Sequence, residues 1–446
     1  MSTSSARIPQ LCHPATPSRC HGDENVRMGS VQSVAVVGAG MVGLATAWHL
    51  QEHGVQVTVL DREGVAAGAS WGNAGWLTPA FVAPLPEPAL LRYGLRALVS
   101  PKSPVYAPLA ADRNLARFMA GFLRHSTHAR WQESMRSLLP LVREALPAFD
   151  HLRAEGVSGE VLRADPVVAA FPRVAQAGPL TDELEHIAEV GGTVAYELVS
   201  GQVARRLAPV LADSIQAAVL VRGQRFINPV TYVHSLADAV RARGGSVVEG
   251  AEVVGVRSGP DGVVVEVGGA EGSAEGGGRF DAVVVATGAW LGRLCAPLGV
   301  TRVVQAGRGY SFSVAADPVP EVPVYLPTAR VAVTPLGDRV RVAGMMELRR
   351  PDARFDHRRV TAIVDSVRPL LQGVDLDSRR DEWVGSRPVT IDGLPLIGAT
   401  EASGVFVAGG HGMWGVTLGP VTGRLLAEQV VTGRTPDALR PFDPLR

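Results

Sequence analysis

Residues 33–61 constrain the fold more strongly than any other part of the sequence. They read SVAVVG, MVGLATAWHLQEH and VQVTVLD, which predicts a buried strand, a helix with apolar residues at helical spacing, and a second, alternating strand. Gly38, Gly40 and Gly43 form a G-x-G-x-x-G turn between the first strand and the helix, and Asp61 ends the second strand. Such a strand–helix–strand unit predicts an α/β fold with a parallel sheet.

This turn has the properties of a dinucleotide-binding site. Gly38 makes the turn, Gly40 lets a pyrophosphate approach the backbone, and Gly43 lets the helix pack closely on the strand. The N–H groups at the helix N-terminus attract phosphates, and Asp61 would accept hydrogen bonds from ribose hydroxyls. The acid before Arg62 disfavours a 2′-phosphate. The motif therefore indicates FAD or NAD without separating them, and a glycine-rich turn that binds nothing is the weaker alternative.

Composition argues against several other classes of protein. Lys plus Arg number 43 and Asp plus Glu number 43, with no run of like charge, so a nucleic-acid partner is not expected. Cys12, Cys20 and Cys295 are too few for a disulfide framework, which favours a reducing, cytoplasmic location. Residues 33–50 lack charge, but their glycines and the VAVV run fit a buried strand and helix better than a transmembrane segment.

The order of the patterns predicts two domains with a cleft between them. Residues 1–30 are expected to be a disordered leader, in which two Cys-His pairs are too weakly framed to predict a metal. We expect a discontinuous cofactor domain over about 31–90, 228–300 and 385–434, a second domain on a mostly antiparallel sheet over about 91–227 and 301–384, and a tail at 435–446.

Further motifs follow along the chain, namely GASWGNAGWLTP, VVVATGAW, GRGYSFS, WVGSRPVTIDGLPLIG and VFVAGGHGMWGVTLGPVTGRLLAEQ. In this order, and with the first unit, they resemble the D-amino-acid oxidase family of flavoenzymes, in particular its bacterial D-amino-acid dehydrogenases and glycine oxidases. The resemblance runs from about residue 31 to 434 and is weaker over 90–225. It implies a Rossmann-like FAD-binding domain with an inserted α+β substrate domain, FAD held in extended form, and oxidation of an amino acid's C–N bond to an imine. Because SWGNAG contains neither histidine nor cysteine, and no cysteine lies in the C-terminal loop, we expect the FAD to be non-covalent.

A second glycine-rich turn, GGHGMWG, lies between a predicted strand and the last long helix. The N-terminus of that helix is suited to stabilise negative charge that develops on a flavin ring. We therefore expect the two turns to hold the two ends of one FAD. The expected cofactor-binding residues are Gly38, Gly40, Met41, Val42, Gly43, Asp61, Arg62, Ser70, Asn73, Ala74, Gly75, Val253, Thr287, Gly288, Gly410, Gly412, Met413, Trp414, Gly415, Val416 and Thr417.

Three residues are the candidates for the substrate end of the site. Arg387 aligns with the family's carboxylate-binding arginine, which binds a carboxylate bidentately; an ion pair with Asp392 is the competing interpretation. Tyr310 is expected to reach the substrate carboxylate or amine, or to be an ordinary sheet tyrosine. His411 is the candidate base, although a histidine in a turn often only orients the backbone. With a neutral amine and a held carboxylate, orientation supplies much of the rate.

The expected reaction oxidises a D-amino acid or glycine, and the imine then hydrolyses to a keto acid. The first alternative is the same chemistry on a secondary amine, such as an N-alkyl amino acid, proline or hydroxyproline. A flavoprotein module of a tRNA-modifying system and a non-enzymatic dinucleotide-binding protein are less favoured alternatives. The electron acceptor is oxygen or a quinone, and a quinone would imply peripheral membrane association. A homo-oligomer is compatible with the sequence.

Overall fold

The structure is a computed structural model that describes residues 31–87, 103, 105–107, 112–268 and 276–446. The expected leader, with its two Cys-His pairs, lies outside the described residues. The strands are β1 (Ser33–Val37), β2 (Gln56–Asp61), β3 (Trp76–Leu77), β4 (Val105–Tyr106), β5 (Leu162–Ala164), β6 (Val167–Phe171), β7 (Tyr196–Ser200), β8 (Ala217–Val221), β9 (Gln224–Phe226), β10 (Ser246–Glu249), β11 (Val253–Gly259), β12 (Gly262–Val267), β13 (Gly278–Phe280), β14 (Ala282–Val285), β15 (Val304–Ala315), β16 (Val324–Leu326), β17 (Val331–Leu336), β18 (Arg339–Leu348), β19 (Arg380–Thr390), β20 (Leu396–Ala399) and β21 (Val405–Gly409). The α-helices are α1 (Met41–Glu52), α2 (Arg113–His125), α3 (His128–Ala154), α4 (Gly178–Glu189), α5 (Gly201–Leu207), α6 (Pro229–Ala242), α7 (Leu291–Cys295), α8 (His357–Val367) and α9 (Gly415–Thr432).

The first sheet has the order β10-β2-β1-β14-β21-β20 and is parallel except for β20 at its edge. Both faces of this sheet are covered. Helices α1, α6 and α9 bury their apolar faces in one core with β1 and β2, and strands β11 and β12 share a second core with its other face. The carboxyl ends of β1, β14 and β21 meet at the same edge, so the turns at Gly38, Thr287 and Gly410 converge there. Ligands of parallel α/β sheets bind at this edge.

The second sheet has nine strands and is mostly antiparallel, with β19-β15-β18-β17-β16-β6-β8-β7 in line and β4 paired with β18. A turn at Gly337 links β17 to β18. Helix α8 packs on one face of the sheet and closes a second core. Strand β19 pairs with β15 from Thr390 to Arg380, so it belongs to the second sheet and runs through the expected domain boundary at residue 385.

Two other segments differ from the expected domain layout. Helix α3, expected in the second domain, packs Leu138, Leu141 and Phe149 into the core of the first sheet. The residues expected as a C-terminal tail are packed too, since Leu439 and Phe442 are fully buried. In the described ranges, no helix has both the length and the apolarity needed to cross a bilayer.

Candidate active site

A cavity of about 1080 Å³ lies at the carboxyl edge of the first sheet and is also lined by strands of the second sheet. All but three of the expected cofactor-binding residues line it; the exceptions are Gly43, Gly410 and Thr417. Of the expected substrate residues, Arg387 and His411 line it and Tyr310 does not. Residues 370 positions apart in sequence therefore share one ligand-sized space, as the two-turn hypothesis requires.

The first glycine turn has the close contacts that its motif predicts. Gly38 has φ +116°, and a Cβ there would lie 2.5 Å from the Ala286 carbonyl oxygen. A Cβ at Gly43 would overlap the carbonyl of Gly38, so this glycine is required for helix packing rather than for lining the cavity. Gly40 faces the Ser70 hydroxyl. Side chains are thus excluded from the places where backbone must approach a pyrophosphate.

Asp61 fastens the first turn. One carboxylate oxygen accepts the Ala39 N–H at 2.8 Å, and the other accepts the N–H groups of Glu63 at 2.9 Å and Gly64 at 3.0 Å. The oxygen that accepts from Ala39 has a second lone pair, so the carboxylate can also accept from a ribose hydroxyl. The neighbouring Arg62 guanidinium lies 4.2 Å from the ring centroid of Trp290.

The loop of residues 70–75 is held by internal hydrogen bonds. The Ser70 hydroxyl accepts the Met41 N–H at 3.1 Å, which joins the loop to the start of α1. The Asn73 side chain accepts the Gly75 N–H at 2.7 Å and donates to the Ala69 carbonyl at 3.1 Å. Gly75 has φ +71°, where a Cβ would overlap the Ile227 carbonyl. Serine, asparagine and glycine therefore each have a local structural reason to occupy this loop.

The second sheet also holds this loop, through three side chains that sequence reasoning missed. All three come from one face of the sheet and donate to backbone carbonyls of residues 71, 72 and 74. They are Ser311 Oγ to Gly72 at 2.6 Å, Thr334 Oγ1 to Ala74 at 2.9 Å and Arg341 Nη1 to Trp71 at 3.0 Å. Buried polar residues within apolar strands were the only sequence signal for these contacts.

The C-terminal glycine turn is joined to β19. Gly412 donates its N–H to the Pro388 carbonyl at 2.8 Å, and His411 forms a bridge with Val389. Helix α9 begins directly after the turn at Gly415, as predicted, and its first N–H groups have no partners within the helix. This N-terminus and the residue Arg387 are therefore held at neighbouring positions on the cavity wall.

His411 is 4% exposed, and its Nε2 lies 3.0 Å from the Thr422 hydroxyl of α9. Burial lowers its pKa to about 4, so the ring is neutral at neutral pH. The contact with Thr422 gives the ring a structural partner and favours the orienting role. Proton abstraction by His411 stays a prediction without geometric support.

Arg387 presents a positive charge to the cavity without an acidic partner. Burial lowers the pKa of its guanidinium to about 10, which leaves it protonated at neutral pH. Among the described residues, no carboxylate pairs with it. Asp392, the competing partner considered from the sequence, instead pairs with Arg302 at 3.3 Å and Arg446 at 3.1 Å. A buried cation without a counter-ion is costly unless a ligand supplies one.

Backbone groups around Arg387 hold its guanidinium in place. The Nη1 atom donates to the Met345 carbonyl at 3.0 Å, and Met345 has φ +60° in a β-bulge of β18. A Cβ at Gly309 on the adjacent strand would overlap the guanidinium. Gly309 was not predicted as a site residue because its role depends on strand pairing, which the motif GRGYSFS does not reveal.

Tyr310 lies on the opposite face of β15 and does not reach the cavity, which corrects its expected substrate role. Its hydroxyl donates to Glu347 Oε2 at 2.7 Å. Glu347 also pairs with Arg308 at 3.3 Å and Arg349 at 2.9 Å. Because side chains alternate along a strand, Gly309 and Ser311 face the cavity side and Tyr310 faces the core under α8.

Two glycine-rich turns at the edge of a parallel sheet, facing one ligand-sized cavity, define the class: a dinucleotide-binding α/β protein. The family model described as FAD dependent oxidoreductase, DAO, matches residues 33–429. The chain belongs to this family of FAD-dependent oxidoreductases. The predictions of the family, of an oxidoreductase and of FAD are therefore confirmed.

Individual relatives are similar over nearly the full described length. A D-amino acid dehydrogenase from Allorhizobium ampelinum is 30% identical over 413 residues, covering 90% of this chain and 95% of the relative. The glycine oxidase structure from Geobacillus kaustophilus has a TM-score of 0.71 at 23% identity, covering 93% of this chain and 99% of that one. The iminodiacetate oxidase structure from Chelativorans sp. BNC1 has a TM-score of 0.67 at 20% identity, covering 92% and 98%. The two structures establish a shared Rossmann-like fold.

The residues present fit an FAD molecule. The cradle at Gly38 and Gly40 excludes side chains where a pyrophosphate needs backbone contact. The N-termini of α1 and α9 both open on the same cavity, which suits a ligand with a phosphate group and a ring that gains negative charge. Neither the 70–75 loop nor the C-terminal turn offers a cysteine, and non-covalent binding stays the prediction.

Proposed function

We propose that this chain oxidises the C–N bond of a small amino acid, a D-amino acid or glycine, to an imine that hydrolyses to a keto acid. The observation that carries this proposal is the Arg387 guanidinium on the cavity wall, with which no carboxylate of the described residues pairs. A carboxylate is the ligand that neutralises it with two parallel hydrogen bonds. The dehydrogenase name of the 30% identical relative supports the same class of substrate.

The residues of the chain supply binding and orientation. FAD, when bound, supplies a two-electron acceptor for the hydride of the α-carbon. Arg387 binds the carboxylate, and the Met345 carbonyl together with the space at Gly309 holds the guanidinium in position. The indole of Trp414, anchored by a 2.8 Å hydrogen bond to the Ala83 carbonyl, forms part of the wall. Orientation of this kind lowers the barrier without a strong base, which agrees with the lowered pKa of His411, because a ring with a pKa of about 4 is a weak base.

The test is anaerobic reduction of the flavin bands by a panel of amino acids. The panel contains small D-amino acids, glycine, their decarboxylated amines, and secondary amines such as sarcosine and proline. We expect D-amino acids or glycine to bleach the bands and the decarboxylated amines to leave them unchanged. Bleaching by the secondary amines alone would replace this proposal with the secondary-amine reaction. Oxygen uptake, compared with reduction of a soluble quinone, then identifies the acceptor.

Replacement of Arg387 tests the carboxylate contact. Arg387→Ala removes two charge-assisted hydrogen bonds worth about 1.5–3 kcal/mol each, so kcat/KM should fall at least about 100-fold while FAD content is unchanged. Arg350→Ala is the matched control because Arg350 is 85% exposed. If the Arg387→Ala variant has the same kcat/KM as the wild-type protein, the proposal is contradicted.

A further inference from the structure

The cavity has an acidic end that the proposed reaction does not use. Glu87 and Glu183 line it together with Tyr325 and Arg330, and Glu183 lies in α4 of the described structure. Neither carboxylate forms a hydrogen bond or an ion pair with any side chain in the described ranges. Arg330 acts electrostatically on both carboxylates, so two negative groups share the influence of this cation.

The two carboxylates disfavour each other's ionisation. Burial, with a further contribution from the charge of Glu87, raises the pKa of Glu183 to about 8. Burial also raises the pKa of Glu87, and Arg330 opposes this. When both carboxyl groups are ionised, the two carboxylates and Arg330 together have a net charge of minus one. A cation bound between the carboxylates would balance that unit and remove the cost of ionising both.

The wall near this acidic end is apolar and aromatic. Trp76, Phe81 and Tyr325 form a cluster with ring centroids 5.9 to 6.3 Å apart. All three rings line the same cavity as Arg387. Methylene groups pack favourably on such a wall, and a cation gains from the faces of aromatic rings. The cavity thus offers a guanidinium for a carboxylate, an apolar wall, and an end with two carboxyl groups that a bound cation would help to ionise.

We propose that the preferred substrates are amino acids whose side chain ends in a cation, an ammonium or guanidinium group, and that Glu87 and Glu183 bind that group. The inference rests on the proposed function, because the substrate carboxylate is placed at Arg387. It deepens that function by assigning the side-chain class. The opposite outcome is a preference for a dicarboxylic amino acid, whose second carboxylate the positive charge of Arg330 would attract.

The experiment compares substrates that differ in charge and little in shape. The holoenzyme is assayed by flavin reduction with D-arginine against D-citrulline, D-lysine against D-norleucine, and D-glutamate. We expect kcat/KM for each cationic substrate to exceed that of its neutral partner by about tenfold or more. Glu183→Gln should remove most of that preference, because it should raise KM for the cationic substrate much more than KM for its neutral partner.

Glu189→Gln is the matched control, since Glu189 is an exposed residue of the same helix and should keep the preference. Three results would each overturn the inference and leave amino-acid oxidation intact. They are equal kcat/KM for D-arginine and D-citrulline, a preference for D-glutamate, and a fall in kcat/KM in Glu183→Gln that is the same for D-arginine and D-citrulline. Failure of every amino acid, neutral and cationic, to reduce a fully loaded flavin would instead refute the proposed function and the inference with it.

Discussion

Gly309→Ala gives the sharpest test of how the sheet positions Arg387. The added Cβ would overlap the guanidinium, and the guanidinium cannot remain on the Met345 carbonyl unless the strands separate. Gly309 has no positive φ, so alanine fits the backbone and the perturbation acts through Arg387. The variant should therefore fold and bind FAD like the wild-type protein.

The size of the effect follows from the hydrogen bonds that a displaced guanidinium loses. Each charge-assisted hydrogen bond contributes about 1.5–3 kcal/mol, which corresponds to roughly a 10- to 150-fold change in kcat/KM for each bond lost. Steady-state kinetics with the best amino-acid substrate measure this change, and FAD absorbance per mole of protein measures cofactor content. Gly292→Ala is the control, because a Cβ there meets no atom within 4 Å.

A double-mutant cycle separates this mechanism from general damage to the sheet. In an Arg387→Ala background there is no guanidinium for the new methyl group to meet, so Gly309→Ala should have little further effect. Non-additivity of that kind is the expected result. If Gly309→Ala lowers kcat/KM by the same factor in both backgrounds, or leaves it unchanged in the wild type, the positioning argument is refuted.

Two further predictions concern the cofactor cradle and the buried ion-pair cluster. Gly38→Ala should lower FAD affinity at least about tenfold, because strain at φ +116° and a contact with the Ala286 carbonyl oppose the side chain; titration of apoprotein with FAD checks this. Burial alone would raise the pKa of Asp392, but Arg446 and Arg302 lower this pKa below its usual value. The ionised carboxylate therefore stabilises the fold at pH values above the pKa of Asp392 in the unfolded chain. This stabilisation is lost as the pH falls through the lower pKa of Asp392 in the folded protein. Asp392→Asn should cost about 3 kcal/mol in urea unfolding at pH 7, and the difference should narrow below about pH 4; a constant difference would contradict the pairing.

The local parts of this structure could be predicted because each depends on residues close in sequence. The strand–helix–strand unit at 33–61 and helix α9 after the second turn have the predicted bounds within a few residues. Gly38 and Gly75 adopt positive φ values of +116° and +71°, and the Asn73 side chain bonds to Gly75 within its own loop. In such turns the local backbone conformation mostly determines where glycine and short polar residues are needed, so the sequence motif alone predicts them.

The wrong or missing predictions involve pairing between distant segments. The direction of Tyr310 depends on which face of β15 meets α8, and GRGYSFS fits either face. The place of β19 in the second sheet follows from its pairing with β15, about 75 residues earlier in the chain. Ser311 bonds to Gly72 across 239 residues, and no local pattern predicts a contact at that separation.

One strand connects the cofactor loop with the arginine. On the cavity face of β15, Gly309 makes room for Arg387, and two residues later Ser311 donates to the Gly72 carbonyl of the 70–75 loop. Because side chains on one face of a strand repeat every two residues, the spacing between the guanidinium and this loop is set by the strand rather than by flexible segments. A slip of β15 by one residue would turn both contacts into the core under α8 and bring Tyr310 to the cavity. The sheet register is therefore part of the site, and it determines which residue of GRGYSFS contacts the arginine.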